Sequence, residues 1–461
     1  MPKGPLVRDA SPEILRGELD AARTLPETGT DVRALLASTS ALLFDRSLFN
    51  GHPRFFGYIT SSPAPIGMLG DFLAAVVNAN VGAWRLSPMA SEIEAQTVRW
   101  IAELMGYPAT CGGLLVSGGN MANMVGLFAA RAAAAGWDVR ADGVAASGAP
   151  RLRVYASGET HTWLQKATDL AGLGTSAVRW IPTDDELRLD PAALRAAIEA
   201  DLAAGDRPMM AVGTAGTVST GVVDPLPEIA RICRDLGVWF HVDGAYGALA
   251  ARVPGAPAEL AGLSLADSVA VDPHKWLYAP LEAGCTLVRD PERLRAAFSY
   301  HPPYYHFGQE ATNFVDFGPQ NSRGFRALKV WLALRHVGRD GYERMIGDDI
   351  ALARRLDAAV RRHPALEPVS QALSITAFRY VPDDLRAGIG TEAVERRLNA
   401  LNEALLERIQ RSGEAFVSNA VVRGRYVLRA CIVNFNTTAA DVDALPEIVA
   451  RLGRETDEAM R

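Results

Sequence analysis

Cysteine is scarce in this chain. The four in 461 residues (Cys111, Cys233, Cys285 and Cys431) are far apart and form no CxxC pair. That argues against a zinc site or a disulfide framework and fits buried thiols in a reducing compartment. No uninterrupted apolar run approaches the ~18 residues that a membrane span needs. The N-terminal stretch MPKGPLVRDASPEILRGELD has one lysine and no apolar run behind it, so it is not expected to act as a secretory signal. Excess positive charge is missing too: the net charge of −6 argues against a nucleic-acid or anionic-membrane partner. No internal repeat is present. With 49% apolar and 22% charged residues, the expectation is a cytoplasmic globular protein with a large core and two or three domains.

Residues 1–50 read as helical, with amphipathic spacing over Leu15–Ala22 and Val32–Leu43. Ala34–Leu43 has little polar surface, which predicts packing against another element or a second subunit. Pro53, Pro63 and Pro65 then break up a loop carrying Phe55, Phe56 and Tyr58. Helical periodicity returns over Ile66–Val81 and Ser91–Met105.

From Leu114 to Asp290 short apolar runs alternate with helical patterns. The strand candidates are Leu152–Ala156, Val178–Ile181, Met209–Val212, Val238–Val242, Ser268–Val271 and Cys285–Val288. This alternation predicts a mostly parallel sheet flanked by helices, with ligands at the carboxyl ends of the strands. Tyr300–Asn321 reads as a long, aromatic, strand-poor loop, and Arg326–Ala359 as helix. After about residue 365 a smaller α/β unit follows. Its strands are predicted at Ser374–Val381, Phe416–Ser418 and Tyr426–Asn434, and its helices at Glu392–Gln410 and Thr438–Leu452. The predicted division is a helical N-terminal arm and pocket loop over 1–75, a large domain over 76–345 and a small C-terminal α/β domain over 346–461.

The most informative segment is SVAVDPHKWLY, Ser268–Tyr278. Its apolar run ends at Asp272-Pro273, and Lys275 follows at the end of a buried strand. An ammonium loses solvation there, so covalent chemistry is a good reason for the placement. A partly desolvated lysine can lose its proton and attack an aldehyde to form a Schiff base. Pyridoxal phosphate (PLP) is the aldehyde to suspect; it demands a lysine, an acid for its ring nitrogen, a phosphate cradle and a ring partner.

Each demand has a candidate. Asp243, in HVDGAYG (His241–Gly247), ends an apolar run, and a buried carboxylate needs a cationic or donor partner such as a protonated pyridine nitrogen. Ala245 is small enough for a ring to pack on. Ser117-Gly118-Gly119-Asn120 lies between an apolar run and a helical one, where glycines permit close approach and a helix N-terminus offers free N–H groups to an anion. His161, shortly after a strand, can stack on a planar group. Thr214 and Thr217 follow another strand and can donate hydroxyl hydrogen bonds or serve as ordinary turn residues; His274 can donate to a phosphate or brace its loop.

Together these residues resemble the group II PLP-dependent amino-acid decarboxylases, closest to the aromatic-L-amino-acid branch. The resemblance covers about residues 50–450 and is carried by HVDGAY (241–246) and DPHKW (272–276), with support from HPRFFGYITS (52–61), LSPMASEIEAQTVRWIAELMGYP (86–108), SRGFRALKVWLALRHVG (322–338) and LRACIVNFNTT (428–438). It implies the fold type I architecture of PLP enzymes and an obligate homodimer. It also implies Lys275 as the Schiff-base lysine, Asp243 on the ring nitrogen and His161 stacked on the ring. Gly119, Asn120 and His274 would lie near the phosphate, with Thr217 near the cofactor. Tyr304 and Tyr305, in a catalytic loop, are both implied as candidate donors of a proton to the carbanion. Tyr58 and Ile59, with Phe56 beside them, match positions lining the substrate pocket and favour an aromatic or apolar substrate, although Arg54 could favour an acidic one. The chain departs from the pattern at Asp272, where the aromatic branch has asparagine, and at Asn120, where serine is common.

The implied reaction is α-decarboxylation of an L-amino acid. Rival outcomes on the same scaffold are aldehyde synthesis and carbon–carbon lysis. A different class, a non-catalytic relative that binds a partner, is argued against by intact Lys275, Asp243 and His161.

Overall fold

The computed structural model describes residue 6 and residues 10–301 and 311–461. The chain divides into two compact units. One is Ile59–Ala351 with Ala372–Ser374; the other joins Met1–Tyr58 to Leu352–Gln371 and Ile375–Arg461. The described residues up to Tyr58 thus group with the C-terminal segments.

The larger unit is built on a seven-stranded sheet in the order β1-β7-β6-β5-β4-β2-β3. Its strands are β1 (Gly112–Val116), β2 (Leu152–Ser157), β3 (Val178–Ile181), β4 (Arg207–Thr214), β5 (Trp239–Asp243), β6 (Ser268–Val271) and β7 (Gly284–Val288). The pairs from β3 through β2, β4 and β5 to β6 are parallel; β7 runs antiparallel to both β6 and β1. Parallel strands covered on both faces are mostly apolar, and β2 and β6 are buried along their whole length; the one charge in β2, Arg153, is paired with buried Asp206. The alternation of side chains in β4 shows the two covers. Val212 joins a core cluster with Leu127 and Ala130 of the helix Gly119–Ala134. A methyl on Gly213, one residue on, would press on Leu226 and Ile229 of the helix Leu226–Leu236, which lies on the other face.

Local signals end these helices where the sequence indicates. Asp190 accepts hydrogen bonds from the Ala192 and Ala193 amides ahead of Pro191–Ala203, and left-handed Gly237 closes Leu226–Leu236. One expected helix is interrupted: the segment Ala327–Arg362 contains Gly338 at φ 71°, so it is two helices meeting at that glycine.

The smaller unit has a four-stranded sheet, β10-β11-β9-β8, from β8 (Leu366–Ala372), β9 (Ile375–Tyr380), β10 (Ser418–Val422) and β11 (Arg425–Cys431). Its core gathers Phe378, Leu428 and Ala430 with Leu401 and Leu405 of the helix Glu392–Ser412 and Val442 and Leu445 of the helix Ala439–Met460. Phe56 has no exposed surface and packs in this core. The four cysteines are buried, and no disulfide joins them. Among the described residues no helix is long and apolar enough to cross a membrane.

Candidate active site

The carboxyl ends of β2, β4, β5 and β6 bring the chemistry together. Register places Asp243, the last residue of β5, beside Thr214 at the end of β4 and Ala270 near the end of β6. Asp243 is buried. Its Oδ2 accepts a 2.7 Å hydrogen bond from the indole Nε1–H of Trp163, and its Oδ1 accepts the Ala245 amide at 3.2 Å. Half-buried Ala245 follows in the same turn.

After β6 the chain turns at Asp272-Pro273. The Lys275 amide donates to the Asp272 carbonyl at 2.9 Å and the Tyr278 amide to the Lys275 carbonyl at 3.1 Å, so the lysine sits on a tight turn. Trp276 and Tyr278 anchor that turn from below. Both are buried, and both donate to Asp349 Oδ2, at 3.0 and 2.8 Å. The Trp276 ring also stacks on Tyr246 at 4.5 Å. With its neighbours fixed, the half-buried Lys275 side chain meets Asp272, Nζ to Oδ2 3.1 Å. His274 Nε2 lies 3.6 Å from the same oxygen. His274 Nδ1 accepts the Ala283 amide, its carbonyl accepts from Ser61 Oγ, and burial pushes its pKa down. It therefore braces its loop and presents Nε2 as a neutral ring nitrogen.

The glycine turn meets this lysine turn. Gly118 has φ 145° and opens the helix Gly119–Ala134, which no side chain among the described residues caps, so its first-turn N–H groups are left for a ligand. A methyl on Gly119 would lie 2.8 Å from Asp272 Oδ2 and 3.3 Å from Ala245 Cβ; one on Gly118 would touch His274 Cε1 at 3.4 Å. Only glycine allows so close an approach. Asn120 is exposed on the first turn.

His161 lies just beyond β2, exposed on one side, with Nδ1 accepting the Trp163 amide at 3.1 Å. Desolvation lowers its pKa; Asp243 pulls it up, Lys275 pushes it down and Asp272 pulls it up again. The three charged residues therefore all act on the imidazole. Thr217 is buried, with its hydroxyl paired to Thr220 at 2.9 Å within its own turn. Thr214 Oγ1, by contrast, is buried without a partner among the described residues, as are Ser157 Oγ, Thr160 Oγ1 and Asp272 Oδ1. These four oxygens lie at or just beyond the ends of β2, β4 and β6.

Beneath Asp243 the strand is held by neutral groups. His241 is fully buried, with Nδ1 2.7 Å from Ser268 Oγ and Nε2 2.7 Å from Asn123 Oδ1, and burial takes its pKa down to about 4. Its ring meets Trp163 edge-on at 5.8 Å.

Of the remaining candidates, Ile59 is half-buried in this unit. Tyr58 belongs to the smaller unit, where it is exposed at φ 52° with its carbonyl accepting from Arg429. Tyr304 and Tyr305 lie outside the described residues. Trp163, Ser157 and Thr160 had not been singled out from sequence. The one available signal was a large aromatic two places after His161.

Comparison with known proteins gives three findings. The pyridoxal-dependent decarboxylase conserved domain matches residues 13–381. An aromatic-L-amino-acid decarboxylase of Bacillus atrophaeus is 33% identical over 443 residues, covering 95% of this chain and 88% of that protein; a phenylacetaldehyde synthase of a Rosa hybrid cultivar is 31% identical over 393 residues, covering 82% and 76%. A crystal structure of Oryza sativa TDC with PLP and tryptamine matches with a TM-score of 0.90 at 30% identity, covering 98% of this chain and 93% of that one.

Proposed function

This chain belongs to the pyridoxal-dependent decarboxylase family and is a PLP enzyme, and on that premise we propose that it decarboxylates an aromatic L-amino acid to the amine and carbon dioxide. The observation that carries the reading is that Lys275, paired with Asp272 at 3.1 Å, and buried Asp243, which holds the Ala245 amide, follow neighbouring strands and meet at Gly119, against which both Asp272 and Ala245 pack.

The residues fit such a group. The Gly118-Gly119 turn leaves a cradle that a methyl would fill, at an uncapped helix N-terminus suited to phosphate. Buried hydroxyls at Ser157, Thr160 and Thr214 have no partner among the described residues and can donate into the site. When bound, PLP supplies an aldehyde for the lysine and a ring that accepts the electron pair of the breaking bond.

The chain's own residues do the rest. Lys275 Nζ holds the cofactor, and Asp272 pairs with it while it is an ammonium. Asp243, its two oxygens fixed by N–H donors, would accept from the protonated ring nitrogen and favour the proton there. His161 is kept neutral by desolvation and can lie flat on an aromatic ring without adding charge. Gly119, Asn120 and His274 would hold the phosphate end and Ala245 would pack against the ring, with Thr217 shaping the neighbouring turn. Ile59 contributes to the substrate pocket. Tyr304 or Tyr305, as a general acid, would supply a proton to the substrate α-carbon.

The partner is a second copy of this chain. The helix Pro65–Val77 buries only Gly67 and Gly70 and exposes Met68, Leu69, Phe72, Leu73, Val76 and Val77, an apolar face of the kind that subunits cover. The helix Val32–Arg46 buries none of its side chains although it carries Leu35, Leu36, Leu43 and Phe44.

The aldehyde-synthase relative sustains a second outcome, oxidative release of an aldehyde. One assay separates the two: the protein is given each L-amino acid, and amine, aldehyde, ammonia, peroxide and carbon dioxide are scored together. The reading expects amine and carbon dioxide without peroxide, highest with tryptophan, phenylalanine or tyrosine, and none from Lys275→Ala. Carbon dioxide from Lys275→Ala at the wild-type rate would overturn it.

A further inference from the structure

Trp163 is tied to both side chains that the proposed reading sets around the cofactor ring. Its backbone N–H donates to His161 Nδ1 at 3.1 Å, and its indole N–H donates to Asp243 Oδ2 at 2.7 Å. It is the first residue of the helix Trp163–Leu170 and is 1% exposed. The indole is held in a cluster with Leu127, Ala156 and Val212, and its edge rests on His241. A ring so enclosed has one orientation, and that orientation points its single polar atom at the carboxylate.

Two consequences follow from the geometry. With Nδ1 accepting, a neutral His161 carries its proton on Nε2, so the tautomer is set by the Trp163 amide. Asp243 has one oxygen on a backbone amide and the other on the indole, which fixes the plane of the carboxylate. Because the indole is uncharged, Asp243 keeps its full charge for a cationic partner. A donor to a carboxylate at this distance is a strong, charge-assisted hydrogen bond.

We propose that Trp163 is a positioning residue: its indole N–H aims Asp243 at the cofactor's ring nitrogen, and the grip on the cofactor and the power of the electron sink both depend on that bond. This rests on the reading that Asp243 faces the ring nitrogen. A purely structural tryptophan would support stability alone, so the readouts must distinguish bulk from the N–H.

The experiment compares wild type, Trp163→Phe and protein with benzothienylalanine at position 163, a near-isostere in which sulfur replaces the N–H. Three quantities are measured: the unfolding midpoint of the cofactor-free protein, the dissociation constant for PLP, and kcat and KM with the best amino acid. The benzothienylalanine protein is expected to keep the wild-type midpoint. Its dissociation constant for PLP should rise by about ten- to a hundredfold, the effect of losing a hydrogen bond to a charged group. Its kcat should fall with KM nearly unchanged. Trp163→Phe should show the same losses with a lower midpoint as well. A benzothienylalanine protein that binds PLP and turns over as wild type does would overturn the proposal, whatever Trp163→Phe does. Asp243→Asn serves as the separating control. If it too binds PLP as wild type, the underlying reading of Asp243 has failed; if it loses PLP while the isostere does not, only the role of the indole has.

Discussion

Removing one charge behind the glycine turn should loosen the whole phosphate side of the site. Glu94 and Arg323 form an ion pair whose side chains are 0% and 1% exposed. Arg323 also donates to the carbonyls of Val81 at 2.9 Å and Leu115 at 2.7 Å, and Glu94 Oε1 accepts the Leu115 amide at 2.9 Å. Leu115 belongs to β1, which runs directly into Ser117–Asn120, so the pair pins the strand that delivers the turn. Glu94→Gln keeps the shape and one acceptor oxygen but leaves the guanidinium without a counter-charge. Breaking a fully buried pair this way costs about 3–5 kcal/mol, and the retained oxygen favours the lower end. At about 1.6 °C per kcal/mol for a unit of roughly 300 residues, the thermal midpoint of the cofactor-free protein should drop by roughly 5 °C. The double variant Glu94→Met with Arg323→Met removes both charges and should unfold at a higher temperature than Glu94→Gln, because no unpaired ion is left inside. A drop below about 2 °C for Glu94→Gln, or a double variant worse than the single, would refute the idea that this desolvated pair holds β1.

Three further predictions draw on other parts of the site. His241 titrates at 6.5 when exposed and about 4 when folded, so below pH 6.5 the unfolded chain binds the proton first. Stability from this group is complete above that pH and falls by about 3 kcal/mol as pH drops to 4. Buried Asp224, raised to about 6, works in the opposite direction, so denaturant titrations at several pH values should compare wild type with His241→Gln; equal pH slopes for the two proteins would contradict the assignment. Asp272→Asn removes an acid that faces Gly119 and pairs with Lys275 at 3.1 Å, and should tighten PLP binding about threefold or more; weaker binding in a fluorescence titration would contradict the repulsion argument. Phe72→Glu puts a charge on the exposed apolar face of Pro65–Val77 and should halve the sedimenting mass, whereas an unchanged mass would exclude that face from the subunit contact.

The central strands were legible because burial on both faces leaves short, mostly apolar runs such as Val269–Val271 and Met209–Val212. β8 was missed because Leu366–Ala372 is mostly half-buried and its LEPVSQA text has no clear alternation. β10 was placed early, at Phe416–Ser418. Phe416 makes only an isolated bridge to Phe55, and the true strand, Ser418–Val422, alternates between buried and exposed. Gly338 looked like one weak residue inside a good helical pattern, yet its positive φ ends one helix and starts another. At the site, Lys275, Asp243 and the glycine turn could be read because their chemistry is local to short motifs. The Trp163–Asp243 bond could not, since it joins residues 80 apart in sequence whose contact depends on the order of β2, β4 and β5. Thr217 carried the expected contact, but folding pairs its hydroxyl with Thr220, while Thr214 Oγ1 has no partner among the described residues.

The claim beneath all of this is that Lys275 is the residue joined to the cofactor. The chain has only four lysines, Lys3, Lys166, Lys275 and Lys329, which makes the decisive measurement simple. Purified protein is saturated with PLP, reduced with borohydride, digested and mapped by mass spectrometry. The account predicts a stable pyridoxyl group on the peptide containing Lys275, near one per chain, and none on the other three; a group located on another lysine, or no modification at all, would contradict it.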